Sequence, residues 1–105
     1  MFARVTSAQL KPDEVEKFTS TIRDQVIPRA QKLRGFKGGY WLVDRSTGKG
    51  YGITLFESKE ALDATEEQAN RIREEASSAA GPAVPAFEHY EVVASVGSAE
   101  ESRAA

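Results

Sequence analysis

Two adjacent segments rich in glycine and aromatic residues constrain the fold of this chain more than any other feature. Residues 35–44 (GFKGGYWLVD) and 50–62 (GYGITLFESKEAL) are typical of two hairpin strands, with a helix beginning after the second. The predicted strands, about 36–44 and 50–57, carry apolar residues on both faces. The helices of a small two-layer domain cover only one face of a sheet. The segments therefore predict a homodimer, in which a second copy of the sheet covers the other face and a cavity lies between the sheets.

Composition excludes several functional classes. The chain has 105 residues and a formal net charge of −2, which predicts one domain and no basic face for nucleic acid. No apolar run approaches the roughly 20 residues that cross a bilayer, and no signal peptide is expected, so a cytoplasmic location follows by default. With no cysteine and a single histidine, we expect no disulfide and no metal site.

Hydrophobic periodicity predicts the remaining elements. A first strand is expected over residues 2–7, where side chains alternate in period two. A helix follows from Pro12, because proline suits the first helical position. A second helical region is expected over 58–80, with a bend near Ala64, and a last strand over 86–96. The resulting order is β-α-β-β-α-β.

Two local irregularities are predicted within the helices. Pro28 lies inside the first helical pattern, where it removes a hydrogen bond and should kink or loosen the last turns. Thr65 and Gln68 have the spacing of a capping box, which would begin the longer part of the second helical region.

This element order predicts an α+β domain, a four-stranded antiparallel sheet with both helices on one face. The first and third strands would be central. We expect the aliphatic rows Ala3/Val5 and Val92/Ala94 to pack under the helices, and the opposite rows to line the second face. Residues 1–96 would form the single domain. Residues 97–105 are small and polar and are expected to be a disordered, dispensable tail.

At several places the sequence resembles the antibiotic biosynthesis monooxygenase (ABM)-type domain of the dimeric α+β barrel superfamily. The resemblance lies in residues 2–5, the turn at 35–38, residues 43–45 and residues 54–62, and it extends over about 2–96. It implies two ferredoxin-like βαββαβ halves that place their sheets face to face, with a pocket in each half, either between sheet and helices or inside the barrel. Some members oxygenate aromatic polyketides or quinols without metal or flavin, and some degrade haem.

The resemblance implies that haem degradation in this family requires three residues that this chain lacks. It uses a histidine on the second helix, a tryptophan near the start of that helix and an asparagine on the first strand. Here the helix carries Ala64 and Thr65 at the nearby positions, and the strand offers Thr6 and Ser7. We therefore expect no haem degradation.

Charged candidates for a site lie on the first and last predicted strands. His89, the only histidine, could be a general base on the cavity face, or an ordinary strand residue at a sheet edge or dimer contact. Arg4 and Glu91 are predicted on neighbouring strands, with the row of His89 facing away from the helices. They could anchor an anionic or phenolic substrate, although a half-buried ion pair that fixes register is the favoured alternative.

Aromatic and small polar residues supply the other candidates. Tyr40, Trp41 and Phe56 could form a wall for a flat ligand, although aromatic residues at strand spacing are more often ordinary core or interface. Tyr40 and Trp41, being neighbours, must point to opposite faces. Thr54 and Asn70 could bind a substrate oxygen.

Two functions are consistent with these features. The first is a cofactor-independent monooxygenase of a small phenol-, quinol- or anthrone-like substrate, with His89 as the base and Arg4 stabilising the anion. The alternative is a non-catalytic dimeric module that binds a small ligand or a partner. An enclosed cavity in which these side chains converge would favour the enzyme.

Overall fold

Four antiparallel strands form one sheet in the computed structural model, which describes residues 1–80 and 87–97. The strand order is β2-β3-β1-β4, so the first and third strands are central. This confirms the predicted α+β ferredoxin-like fold. The strands are β1 (Phe2–Gln9), β2 (Phe36–Val43), β3 (Lys49–Phe56) and β4 (Glu88–Glu91).

The helices connect β1 to β2 and β3 to β4. The first connection begins with a 3₁₀ turn over Pro12–Glu14, and its two α-helical pieces are joined by a π-helical turn over Ile22–Val26. Within the described ranges, no helix is both long and apolar enough to span a bilayer. The helices are α1 (Val15–Thr21), α2 (Ile27–Ala30), α3 (Lys59–Ala64) and α4 (Glu66–Ala80).

The irregularity predicted from Pro28 is a π-helical turn directly before it. The backbone N–H of Ile27 donates to the carbonyl of Ile22, five residues earlier. Proline cannot donate to the carbonyl four residues before it, so the helix loses a regular bond at this point. The wider turn places Ile22 and Val26 in the core that faces the sheet.

The second helical region bends at Thr65, as predicted, between α3 and α4. The predicted role of Thr65 in a capping box is wrong. The Thr65 hydroxyl donates to the carbonyl of Ala61 at 2.8 Å instead of capping the next helix. The cap that does form is at Ser58, whose side chain accepts from the N–H of Ala61 at 3.0 Å.

The predicted orientation of the sheet is wrong. Phe2, Arg4 and Thr6 face the helices, since Phe2 lies opposite the fully buried Phe56, which packs in the core that helical side chains form. Ala3 and Val5 alternate with them on the open face. Two phenyl rings bury more apolar area than an alanine and a valine, which explains the choice of face.

The last strand is shorter than predicted. It ends at Glu91, so Val92 and Ala94 lie beyond it and do not form a row under the helices. The first residue of the predicted strand, Ala86, lies outside the described residues, as does the predicted tail beyond Gly97.

The open face of the sheet is apolar and uncovered in the single chain. Half-buried aliphatic side chains occupy its centre on β1 and β3. Larger side chains surround them and are 39–63% exposed. These exposed residues are Tyr40, Leu42, Tyr51 and Tyr90.

Candidate functional site

A cavity of about 100 Å³ lies between the helical face of the sheet and the helices. Its lining is mainly apolar and includes four aromatic residues, Phe18, Trp41, Tyr51 and Phe87. Arg4 and Arg73 also line it. The cavity therefore combines aromatic walls with cationic groups, a combination that suits a flat ligand carrying negative charge.

Glycines on the neighbouring strands β2 and β3 make room for the indole of Trp41. A Cβ on Gly52 would lie 3.2 Å from Cδ1 and Nε1 of Trp41 and 3.0 Å from the hydroxyl of Thr6. A Cβ on Gly39 would lie 3.2 Å from Cη2 of the same indole. The ring thus packs against two glycines, and a Cβ at either position would crowd it.

Arg4 is the central charged group of the site. Its side chain is only 2% exposed, and its guanidinium carbon lies 4.8 Å from the centre of the Phe56 ring and 5.2 Å from that of Phe87. Nη2 donates to the carbonyl of Leu62 and to the Thr65 hydroxyl at 3.3 Å. One edge of the guanidinium is therefore bonded to the bend between α3 and α4.

Two other nitrogens of that guanidinium have no hydrogen bond among the residues that the structure describes. Nε and Nη1 of Arg4 are buried, and neither has a hydrogen bond among the described residues. A buried N–H without an acceptor costs about 1–3 kcal/mol, and more when the group is charged. Burial lowers the pKa of Arg4, and the nearby Glu66 carboxylate opposes this effect. Arginine nevertheless remains a cation, so the site offers two unused donors on a positive charge.

Glu66 links this cation to the only histidine. Its Oε1 lies 3.3 Å from Nη2 of Arg4 and 2.9 Å from Nε2 of His89. His89 is directly opposite Arg4 in the strand register. The three side chains form a row from the buried core to the surface, where the His89 side chain is 38% exposed.

Sequence relatives match over most of the chain. No family model matches it. Uncharacterized protein Rv2557 of Mycobacterium tuberculosis is 32% identical over 94 residues, which are 90% of this chain and 42% of the relative. Uncharacterized protein Rv2558 of the same organism is 32% identical over 77 residues, 73% of this chain and 33% of the relative. The chain thus spans less than half the length of these relatives.

Solved structures match the fold closely. The ActVA-Orf6 monooxygenase of Streptomyces coelicolor, in complex with Nanaomycin D, has a TM-score of 0.69 at 13% identity, over 93% of this chain and 92% of that one. The heme-degrader MhuD of Mycobacterium tuberculosis, with two hemes in its active site, has a TM-score of 0.68 at 19% identity, over 92% and 100%. The chain has an ABM-type fold.

Within this ABM-type fold, His89 does not lie where the sequence predicted. Its row faces the helices instead of the second face, because β4 pairs with β1 in the register that places His89 beside Arg4. It contacts Glu66 and is not among the residues that line the cavity. The predicted cross-strand pair of Arg4 with Glu91 is also wrong, since Glu91 is exposed and lies opposite Phe2.

The other predicted site residues divide between the cavity and the rest of the fold. Trp41 and Thr54 line the cavity, and the hydroxyl of Thr54 donates to the Arg4 carbonyl at 3.4 Å. Phe56 lies in the core against the guanidinium instead of on the cavity wall. Tyr40 is 63% exposed on the open face, and Asn70 is half-buried outside the cavity.

Sequence reasoning missed Arg73 and Phe87 as site residues. Arg73 of α4 lines the cavity, and its guanidinium carbon lies 4.8 Å from the centre of the Phe87 ring. A signal for Arg73 was present, since it lies four residues after Ala69 and one after Ile72, both on the core face of the helix. No group of three or more acidic, histidine or cysteine side chains suited to a metal occurs in the part of the chain that the structure describes.

Proposed function

We propose that the chain is a cofactor-independent monooxygenase of a small phenolic substrate, bound in the cavity beside Arg4. Nε and Nη1 of this guanidinium carry the proposal, because they are buried without a hydrogen bond among the described residues, and a phenolate or peroxide oxygen could serve as an acceptor. Phe18 and Trp41 offer apolar surface to the ring. The fold neighbour from Streptomyces coelicolor is itself a monooxygenase, in complex with the ligand Nanaomycin D.

The reaction balances without a redox cofactor, because a phenol and O₂ give a para-quinone and water. The phenolate passes one electron to O₂, and the resulting aryloxyl radical and superoxide join in a C–O bond at the para carbon. The peroxide takes up a proton, and its O–O bond breaks as the ring C–H proton leaves. Arg4 would stabilise the phenolate and then the peroxide anion in a site of low dielectric.

The size of the cavity restricts the substrate. An engineered cavity of about 150 Å³ holds benzene, and this one measures about 100 Å³. A single ring would fill it and extend into its mouth, whereas a three-ring anthrone exceeds it. We therefore narrow the proposed substrate class to monocyclic phenols.

The proposal is tested by oxygen-18 incorporation. Purified protein is incubated with 2-methoxyphenol under oxygen-18 gas, and the methoxybenzoquinone is analysed by mass spectrometry. We expect one labelled oxygen in the quinone and the other in water, formed faster than in buffer alone. Product that carries no label, or that forms at the rate seen in buffer, would refute the oxygenase.

His89 is proposed as a positioning residue that holds Glu66 against Arg4, because its Nε2 lies 2.9 Å from Oε1 of that carboxylate. His89→Gln should retain a neutral hydrogen-bond donor and leave turnover within about fivefold of wild type, without changing the pH profile. Loss of a direct general base typically lowers the rate by 10²–10⁴-fold. A loss on that scale, together with disappearance of a pH-dependent limb from kcat, would restore His89 as the base.

A homodimer through the open sheet face is also proposed, since Tyr40, Leu42 and Tyr90 would otherwise expose an apolar patch. Sedimentation at micromolar concentration should give twice the 11.5 kDa chain mass. Leu42→Asp should shift this to monomer, because a buried unpaired carboxylate is costly. Lys17→Asp, on an exposed position of α1, is the matched control. A wild-type monomer would contradict the proposal.

A non-catalytic dimeric binding module is the second candidate function. It is favoured by one observation, that no carboxylate or imidazole among the described residues lines the cavity to take the phenolic proton. Ligand binding at Arg4 without label incorporation would favour this alternative.

Haem fits this site poorly, although a fold neighbour binds two hemes. The cavity of about 100 Å³ is far below the 300–1,000 Å³ typical of larger ligands, and the single histidine contacts Glu66 on the other side of Arg4. We expect the Soret band of haem, mixed with the protein and a reductant in air, to decay no faster than with a non-binding control protein. Protein-dependent iron release would contradict this.

A further inference from the structure

A surface groove of about 340 Å³ adjoins the cavity. It lies between β2, which is an outer strand of the sheet, and the helical connection that contains α1 and the π-helical turn. Three residues line both spaces, Phe18, Ile22 and Trp41. These side chains therefore form the wall that separates a cavity of about 100 Å³ from the larger groove.

Trp41 is the part of this wall that comes from the sheet. Its indole packs against Gly39, two residues earlier on β2, and against Gly52, its partner on β3. The absence of side chains at these two positions leaves the room that the indole occupies. Phe18 and Ile22 belong to the helical connection. Replacing Trp41 would thus open the wall without removing a helical side chain from it.

We infer that Trp41 determines the upper size limit of the ligand, because its indole closes the cavity toward the groove. The cavity alone is far smaller than the 300–1,000 Å³ typical of ligand pockets, whereas the groove lies within that range. A ligand that is one ring larger would need the space that the indole fills. The choice of phenols as ligands rests on the proposed function, whereas the size limit rests on the position of the indole.

Binding of phenol and 1-naphthol, which differ by one fused ring, tests this inference. Trp41 is the only tryptophan and lines the cavity, so its fluorescence reports binding where it is retained, and calorimetry replaces fluorescence in this comparison. We expect the wild type to bind phenol at least about tenfold more tightly than 1-naphthol, the scale on which an apolar pocket rejects an oversized group. Trp41→Ala should reverse this order, because the second ring then buries more apolar surface.

Trp41→Leu keeps the inference testable if the alanine variant does not fold. The indole packs against the hydrophobic core, and leucine retains part of that apolar contact while it vacates much of the space of the ring. This variant should weaken or reverse the preference for phenol.

Ile27→Ala is the matched control. Ile27 also packs against the core, and it lines the groove but not the cavity. Its truncation enlarges the groove and leaves the wall in place, so the preference for phenol should stay unchanged.

Four binding results would overturn the inference. They are equal affinity of the wild type for both ligands, binding of neither ligand, an unchanged preference for phenol in the folded Trp41 variants, and an equal loss of that preference in Ile27→Ala. Failure of both Trp41 variants to fold would also overturn it, because the indole would then serve the core.

Oxygen-18 incorporation into the same two ligands separates this inference from the proposed function. Phenol binding that excludes 1-naphthol, with no labelled quinone, would refute the oxygenase and leave the size limit standing. Labelled quinone formed by the wild type from both ligands, at the same enhancement over buffer, would support the oxygenase and overturn the role of Trp41.

Discussion

Arg4→Met is expected to abolish binding of phenolic ligands while leaving the fold intact. Methionine fills a similar volume but removes the charge and the two nitrogens, Nε and Nη1, that have no hydrogen bond among the described residues. Two charged hydrogen bonds of about 1.5–3 kcal/mol each correspond to a loss of affinity of about a hundredfold or more. Titration of the variant with 3-hydroxybenzoate, followed by Trp41 fluorescence, measures this loss.

The stability of Arg4→Met should change little, because the former partners of Nη2 keep other contacts. The carbonyl of Leu62 still accepts from the Thr65 hydroxyl at 3.2 Å, and Glu66 still contacts His89. Removal of two unpartnered N–H groups offsets the lost bonds. We expect the free energy of unfolding to change by less than about 1.5 kcal/mol in a denaturant titration.

Arg45→Met is the control for that substitution. Arg45 is exposed and pairs with Glu16, so this variant makes the same chemical change far from the cavity. It should bind the ligand as wild type does. Wild-type affinity in Arg4→Met would contradict the site, and complete unfolding of that variant would show that Arg4 has a mainly structural role.

The architecture was predictable because local patterns determine it. Elements begin or end at features that are visible in the sequence, namely Pro12, Gly35 and the two strands of the hairpin. The alternation in β1 was equally clear, but alternation alone does not say which row faces the helices. Arg4 looked like a residue for the outer face, yet the bend at Thr65 supplies oxygen atoms that make its burial possible.

The site was less predictable because its parts come from distant segments. Arg4 and Thr65 are 61 residues apart, and no local pattern links them. Phe87 contacts both Arg4 and Arg73 because the pairing of β4 with β1 brings it beside them. Gly52 makes room for the indole of Trp41 on the neighbouring strand, a contact that follows from the register of β2 and β3 and from no local pattern.

Phe56→Ala should produce the largest loss of stability. Phe56 is 0% exposed, packs in the core with helical side chains, and contacts Phe36 edge to face with ring centres 5.9 Å apart. Truncation of a buried phenylalanine to alanine costs about 3–5 kcal/mol, a large part of the total for a domain of this size. We expect the thermal midpoint to fall by about 15 °C or more, as measured by calorimetry.

Phe56→Leu separates the two roles of this ring, which fills the core and packs against the guanidinium of Arg4. Leucine retains most of the apolar volume, so the variant should lose less than about 2 kcal/mol of stability. It cannot stack on the guanidinium of Arg4, which lies 4.8 Å from the ring centre, so Arg4 should be less well fixed and 3-hydroxybenzoate should bind several-fold more weakly. Undiminished affinity in Phe56→Leu would show that the ring supports the core alone, because the Leu62 carbonyl and the Thr65 hydroxyl would then suffice to orient Arg4.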